Sequence, residues 1–242
     1  MSKHDYRELL KQNQYLAQFV MLVNLWDTWR WVTDFENPKQ EASTLNMLLS
    51  IKGKEWFMED ILKSAGELMA NYMPFNFTES DEILIRSKKL EIERQVETKD
   101  KEMLLAKMLF SVDSDKQIEF VQNYLQDLGA EKCEKYKNIL QKGYHCRFEV
   151  GVIHLTENIS DVGNELAKRH PELDIIIIIS MPNTVSYRTV KDLDVPLGII
   201  ANWMGDGKGG GHPQSAGSVI SNWKKCNASS LILKEVYFKE TK

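Results

Sequence analysis

The chain has 242 residues, enough for one large or two small domains with real cores. Its 43% hydrophobic and 27% charged residues are ordinary for a soluble globular protein. A net charge of −4 argues against binding of a long nucleic-acid duplex by general electrostatics, and leaves room for a local basic pocket that takes one small nucleotide. Three cysteines, Cys133, Cys146 and Cys226, form no C-x-x-C pair, and an odd number without a framework fits a reducing, cytoplasmic setting. Met1–Leu10 is charged throughout, unlike an export signal. The longest apolar run, Ile175–Ile179, is far too short to span a membrane, so no membrane partner is expected.

Residues 1–143 read as a helical region. Leu9, Leu10, Leu16, Phe19, Val20, Val23 and Trp26 recur at near-helical spacing through Asp5–Trp31. Leu45, Leu48, Leu49 and Ile51 predict a second, short helix, and Trp56–Met69 a third before Pro74. Glu79–Leu109, rich in Glu, Lys, Leu and Ile, predicts one long helix with Ile83, Leu90, Glu97 and Leu104 at heptad-like intervals. Its charged residues suit an exposed face, and the helical half as a whole could form a homodimer interface. Ile118–Leu128 and Lys132–Leu140 predict two shorter helices.

From Tyr144 the pattern changes, and residues 144–242 read as an α/β domain. The fold class is therefore α+β, a helical region followed by a mixed sheet flanked by helices. Phe148–Leu155 predicts a strand, and Ser160 an N-cap for a helix through Arg169, with Pro171 just beyond. Five consecutive isoleucines in Asp174–Ser180 predict a strand buried on both faces, at the centre of the sheet. Val185–Val190 alternates and predicts a strand with one buried and one polar face. Val195–Trp203 predicts a helix, and Gly217–Ile220 and Leu231–Phe238 predict closing strands.

The most informative stretch is Gly209-Gly210-Gly211-His212-Pro213-Gln214-Ser215-Ala216-Gly217. Three glycines let a backbone approach a ligand closely and take positive φ without a Cβ clash. Successive N–H groups in such a loop can cradle an anion, and His212 can donate to a phosphate. This stretch resembles the GGGH-x-x-[AS]-[AS]-G signature of the substrate-binding domain associated with DHH-type phosphoesterases. Gly151–His154, Asp161–Ala167 and Val185-Ser186-Tyr187-Arg188-Thr189 are similar to a strand, a helix and the V-S-x-R-[ST] strand of that family. Trp26-Asp27-Thr28-Trp29-Arg30-Trp31 resembles a segment of its oligoribonuclease branch. The resemblance covers roughly residues 20–60 and 145–222.

The resemblance and the chemistry of the residues together lead to an expectation of ligand binding by Arg188, Lys208, Gly209, Gly210, Gly211, His212, Ser215, Asn164, Asp27 and Trp29. Arg188 is expected to project into a solvent-filled site as a phosphate or carboxylate fork, although a solvated strand face would look the same in sequence. His212 serves either a ligand or a nearby carbonyl of its turn. Asn164 lines a pocket or a helix surface, Trp29 stacks on a base or packs between helices, and Trp26 reads as core. The family loop usually has a fourth glycine where this chain has Lys208, preceded by Gly205-Asp206-Gly207. Lys208 can add a phosphate contact there, and Asp206 can repel phosphate or meet a ribose hydroxyl.

Family enzymes also carry D-x-D and D-H-H motifs that hold two Mn²⁺ ions. No Asp-His-His occurs in this chain, and neither Asp113-Ser114-Asp115 nor Asp192-Leu193-Asp194 has a histidine pair nearby. The sequence thus reads as the substrate-binding half of a phosphoesterase, with no metal or other cofactor and no catalytic residue of its own expected. Two functions follow. One is non-catalytic capture of a small nucleotide, cyclic or ADP-ribose-type included, as a viral protein that sequesters a bacterial immune signal would perform. The other is a phosphoesterase or oligoribonuclease acting with a catalytic half supplied by another chain.

Overall fold

The computed structural model describes residue 20 and residues 38–56, 78–129, 136–180, 183–220 and 231–232. The expected helices Asp5–Trp31 and Trp56–Met69, with Asp27 and Trp29, lie outside the described residues, as does most of Leu231–Phe238. The chain divides into two compact units, Met1–Glu91 and Ile92–Lys242. The architecture is α+β, helices followed by a mixed sheet with flanking helices.

In the first unit, helix α1 (Pro38–Trp56) buries Leu45 and Leu48 and is interrupted at Gly53, whose φ of 86° breaks the helical path. Helix α2 (Glu79–Glu102) begins in this unit with a reciprocal cap. The Thr78 hydroxyl accepts from the Asp81 amide at 3.2 Å, and the Asp81 carboxylate accepts from the Thr78 amide at 2.9 Å. Asp81 is also ion-paired with Lys52 of α1.

Helix α2 stops at Glu102, seven residues short of the end expected at Leu109. Leu104–Val112 is strand β1, with Ala106, Met108, Phe110 and Val112 all buried. Leu, Ala, Lys and Met are good helix formers, yet the stretch follows period 2, and pairing of its whole length with Tyr144–Val152 of strand β2 (Tyr144–His154) outweighs local propensity. A strand therefore lies inside the stretch expected to be helical.

Helix α3 (Asp115–Asp127) follows with a capping box between Ser114 and Gln117, and a 3₁₀ turn spans Lys137–Leu140. The second unit continues as β2, helix α4 (Ile159–Arg169), β3 (Ile175–Ser180) and β4 (Thr184–Arg188). Helix α5 (Leu197–Met204) then leads to β5 (Gly209–Gly211) and β6 (Ser215–Val219), and β7 is Leu231–Ile232. The sheet order is β5-β6-β4-β3-β2-β1-β7. Among the described strands only β2 and β3 pair in parallel, across the α4 connection, and the other pairs are antiparallel.

The isoleucine strand is central and buried on both faces, as its composition predicts. Ile175 and Ile177 join Phe110, Tyr187, Ile199 and Trp203 on one face, beneath α3 and α5. Ile176 and Ile178 join Val162 and Leu166 of α4, with Val96 of α2, on the other. The N-cap of α4 is Asn158, in the left-handed region, rather than Ser160; Asn158 makes no side-chain cap bond, and its amide group donates to Gln95 at 2.9 Å. That leaves the Ser160 hydroxyl for another partner.

Candidate functional site

Register decides which side chains share a face, because directly paired residues of adjacent strands point the same way. Arg188 pairs with Ser215, and Ser186 with Gly217. Gly217 pairs in turn with Gly210. The His212 amide donates to the Ser215 carbonyl at 2.8 Å, which extends the same register by one pair. Two parallel rows result on the α4 side of the sheet, one of His212, Ser215 and Arg188, the other of Gly210, Gly217 and Ser186.

At its glycine end, Gly210 and Gly217, the second row is a floor without side-chain relief, and only Ser186 beyond them carries a side chain. A Cβ at Gly210 would meet nothing within 4 Å, and one at Gly217 would meet only the Val185 carbonyl at 3.5 Å. Gly209 is opposite in kind: its Cβ would collide with the Ala201 carbonyl of α5, so that glycine is required by packing. Gly211 has φ 139°, a conformation that side chains rarely adopt, and its Cβ would lie 2.6 Å from the Ala216 Cα.

The glycine run is therefore a three-residue edge strand, not the loop expected from its composition. The amides do not form a concave nest. Donation from Val219 to the Lys208 carbonyl at 2.9 Å and from His212 to Ser215 fixes the alternation of the ladder. By that alternation Gly210 faces β6, while Gly209 and Gly211 turn their N–H and C=O groups to the outer edge. Side chains claim both outer carbonyls. Asn202 Nδ2 of α5 donates to Gly209 O at 3.2 Å, and the Tyr124 hydroxyl of α3 donates to Gly211 O at 2.9 Å. Burial, with Tyr136 beside it, pushes the Tyr124 phenol up to about 12, so it remains a donor at neutral pH.

Arg188 differs from its expectation in placement. Its residue is 7% exposed and does not project into solvent. Nη1 donates to the carbonyls of Tyr187 at 2.8 Å and Ala216 at 3.3 Å, and Nη2 donates to Ser160 Oγ at 2.9 Å. Nε is buried without a partner. Burial lowers the pKa of the guanidinium, and the Asp161 carboxylate opposes that shift. Gly163 makes the arrangement possible, since a Cβ there would sit 3.0 Å from Arg188 Cγ and collide with Ile178.

The other expected residues are dispersed around this face. His212 and Lys208 are exposed, while Ser215 and Asn164 are half-buried. Asn164 stands one helical turn beyond Ser160, on the α4 edge that borders Arg188. Sequence reading missed Ser160 as the Arg188 partner, and missed Tyr124 and Asn202 as holders of β5. Asn202 left a signal, as the lone amide in the apolar run Leu197–Met204; Tyr124, 87 residues from Gly211, left none. Among the described residues no three His, Cys, Asp or Glu side chains cluster so as to hold a metal ion. The residues described thus offer no fit for a two-metal centre. No described helix is long and apolar enough to cross a membrane.

Comparison with known proteins finds a distant homologue. The chain is 29% identical over 214 residues to the oligoribonuclease NrnB of Bacillus subtilis (strain 168), an alignment that covers 88% of this chain and 42% of the relative. The chain thus spans under half the length of that protein. A crystal structure of an uncharacterized protein from Helicobacter pylori G27 is matched at 17% identity with a TM-score of 0.30, over 88% of this chain and 56% of the other. That likeness is too low to inform either fold or ligand. No family model matches.

Proposed function

We propose that the β4–β6–β5 face binds a short, phosphate-bearing nucleotide. The observation that carries the reading is the row His212–Ser215–Arg188 beside the bare floor at Gly210 and Gly217. A floor that lacks side chains admits a flat ribose or base. The adjoining row offers a hydroxyl, an imidazole and a guanidinium, the donor types that phosphate oxygens accept from. An unpaired buried donor such as Arg188 Nε costs roughly 1–3 kcal/mol, so a side-chain adjustment that gave it a phosphate oxygen would be favoured. Lys208 and Asn164 flank the face. Kinship with an oligoribonuclease makes short RNA the first ligand to try.

Within this reading the chain retains its nucleotide rather than cleaving it. Such retention amounts to sequestration, for which a small signalling nucleotide is the fitting ligand. Calorimetry with di- and trinucleotide RNA and with cyclic dinucleotides tests binding, with mass spectrometry of the recovered ligand after incubation in Mn²⁺. Binding by the parent, loss of it in Gly210→Val and recovery of intact ligand are expected. Cleavage that survives repurification would replace retention by the phosphoesterase reading. Equal binding by parent and Gly210→Val would move the site off this face.

A further inference from the structure

The reverse side of the same sheet carries a cavity of about 480 Å³, within the roughly 300–1,000 Å³ usual for small-molecule sites. It lies between the start of α3, the end of β1 and the turn that follows α5. Phe120, Ile199 and Trp203 supply apolar lining. Asp206, which the sequence placed beside the glycine ligand, faces this cavity instead.

Four polar side chains of the lining differ in hydrogen-bonding sense between the α3 wall and the α5 wall. On the α3 wall, Gln117 Oε1 accepts from the amides of Asp113 at 2.8 Å and Ser114 at 2.9 Å, and from the Ser114 hydroxyl at 3.1 Å. Among the described residues its NH₂ group has no partner and is left for a ligand. Lys116, next to it, is exposed and has no ion-pair partner among the described residues. On the α5 wall, Asn202 commits Nδ2 to Gly209 O, and its Oδ1 has no donor among the described residues and is available to accept. The Asp206 carboxylate, on a residue with φ 50°, has no partner among the described residues. One wall therefore donates, the other accepts, and aromatic surface lies between them.

We propose that this cavity binds a nucleoside monophosphate. The phosphate meets Lys116 and Gln117, the base lies along Phe120 and Trp203, and ribose hydroxyls or exocyclic amino groups donate to Asp206 and Asn202. Other small ligands match less of the lining. Inorganic phosphate answers only the donor wall, and a fatty acid leaves the acceptors unmet. The site lies on the opposite face from Arg188 and Gly210, so it does not rest on the function proposed for that face.

Calorimetry on the full chain with AMP, GMP, CMP and UMP, and with adenosine and inorganic phosphate as controls, tests the assignment. At least one monophosphate should bind, with adenosine and phosphate each at least tenfold weaker. Lys116→Glu, an exposed substitution, should weaken the monophosphate at least tenfold, and Asp206→Asn severalfold. Gly210→Val should leave the Lys116-dependent binding unchanged. Three results would overturn the proposal: no monophosphate binding at millimolar concentration, equal binding to Lys116→Glu, or loss of binding in Gly210→Val. The last would place the nucleotide on the glycine face, and so would leave the function proposed for that face standing.

Discussion

Gly210 and Gly211 are neighbours with opposite tolerances. Gly210 has open space where a Cβ would go, and a β-branched residue suits a strand. Gly210→Val should therefore fold with a melting temperature close to the parent's while losing nucleotide binding. Gly211→Ala must enter a φ of 139° and press on Ala216, a backbone strain of order 1–3 kcal/mol. Thermal melts of the two variants, run beside calorimetry, separate packing from recognition. If Gly210→Val melts far below the parent, its floor is structural and not a landing surface. Arg188→Ala is a poor probe by comparison, because it strips bonds from Tyr187, Ala216 and Ser160 together.

At the scale of elements, the placement of β5 depends on two side chains from the helices behind it. Tyr124→Phe keeps the ring and removes the bond to Gly211 O, which should cost about 1 kcal/mol and speed amide exchange in β5. The same residue makes a pH prediction. Its pKa is raised in the folded state to about 12 from an ordinary 10, so the neutral phenol stabilises the fold fully below pH 10. That contribution is lost as pH rises through the interval between the two values. Denaturant titrations from pH 9 to 12 should show a steeper loss of stability in the parent than in Tyr124→Phe, and parallel curves would show that Tyr124 is not the group involved. The start of α2 behaves with the reverse sign. Burial works against the charge on Asp81, yet Lys52 and Thr78 hold its carboxyl below the usual range. Asp81→Asn should destabilise by about 1 kcal/mol at pH 7, and the difference from the parent should vanish as the medium is acidified below about pH 4.

For the whole molecule, the isoleucine strand carries the prediction with the largest expected effect. Ile177 and Ile178 are each about 1% exposed or less and belong to cores on opposite faces of the sheet. Either one changed to Ala should cost roughly 2–5 kcal/mol in urea unfolding. A much smaller cost at one position would mean that its face is not packed as described. This strand was also the part of the fold most legible in sequence, because five adjacent β-branched residues admit few other placements. β1 was not legible, since its period-2 pattern is written in residues that favour helices, and only pairing with β2 reveals it. Part of the candidate site was readable as well, in that the register brings His212, Ser215 and Arg188 into one row. The burial of Arg188 could not be read, because it depends on the space that Gly163 leaves on α4 and on a hydroxyl 28 residues away.

The bonds from Tyr124 and Asn202 also bear on how the protein behaves when concentrated. A sheet edge with free backbone acceptors invites a second chain to pair with it and extend the sheet. Here that edge is three residues long, and the two carbonyls that face outward are already occupied. The edge is closed to growth even though the neighbouring face stays bare. Joint replacement of Tyr124 by Phe and Asn202 by Ala would uncover both acceptors, and light scattering at rising concentration should then register self-association that the parent resists.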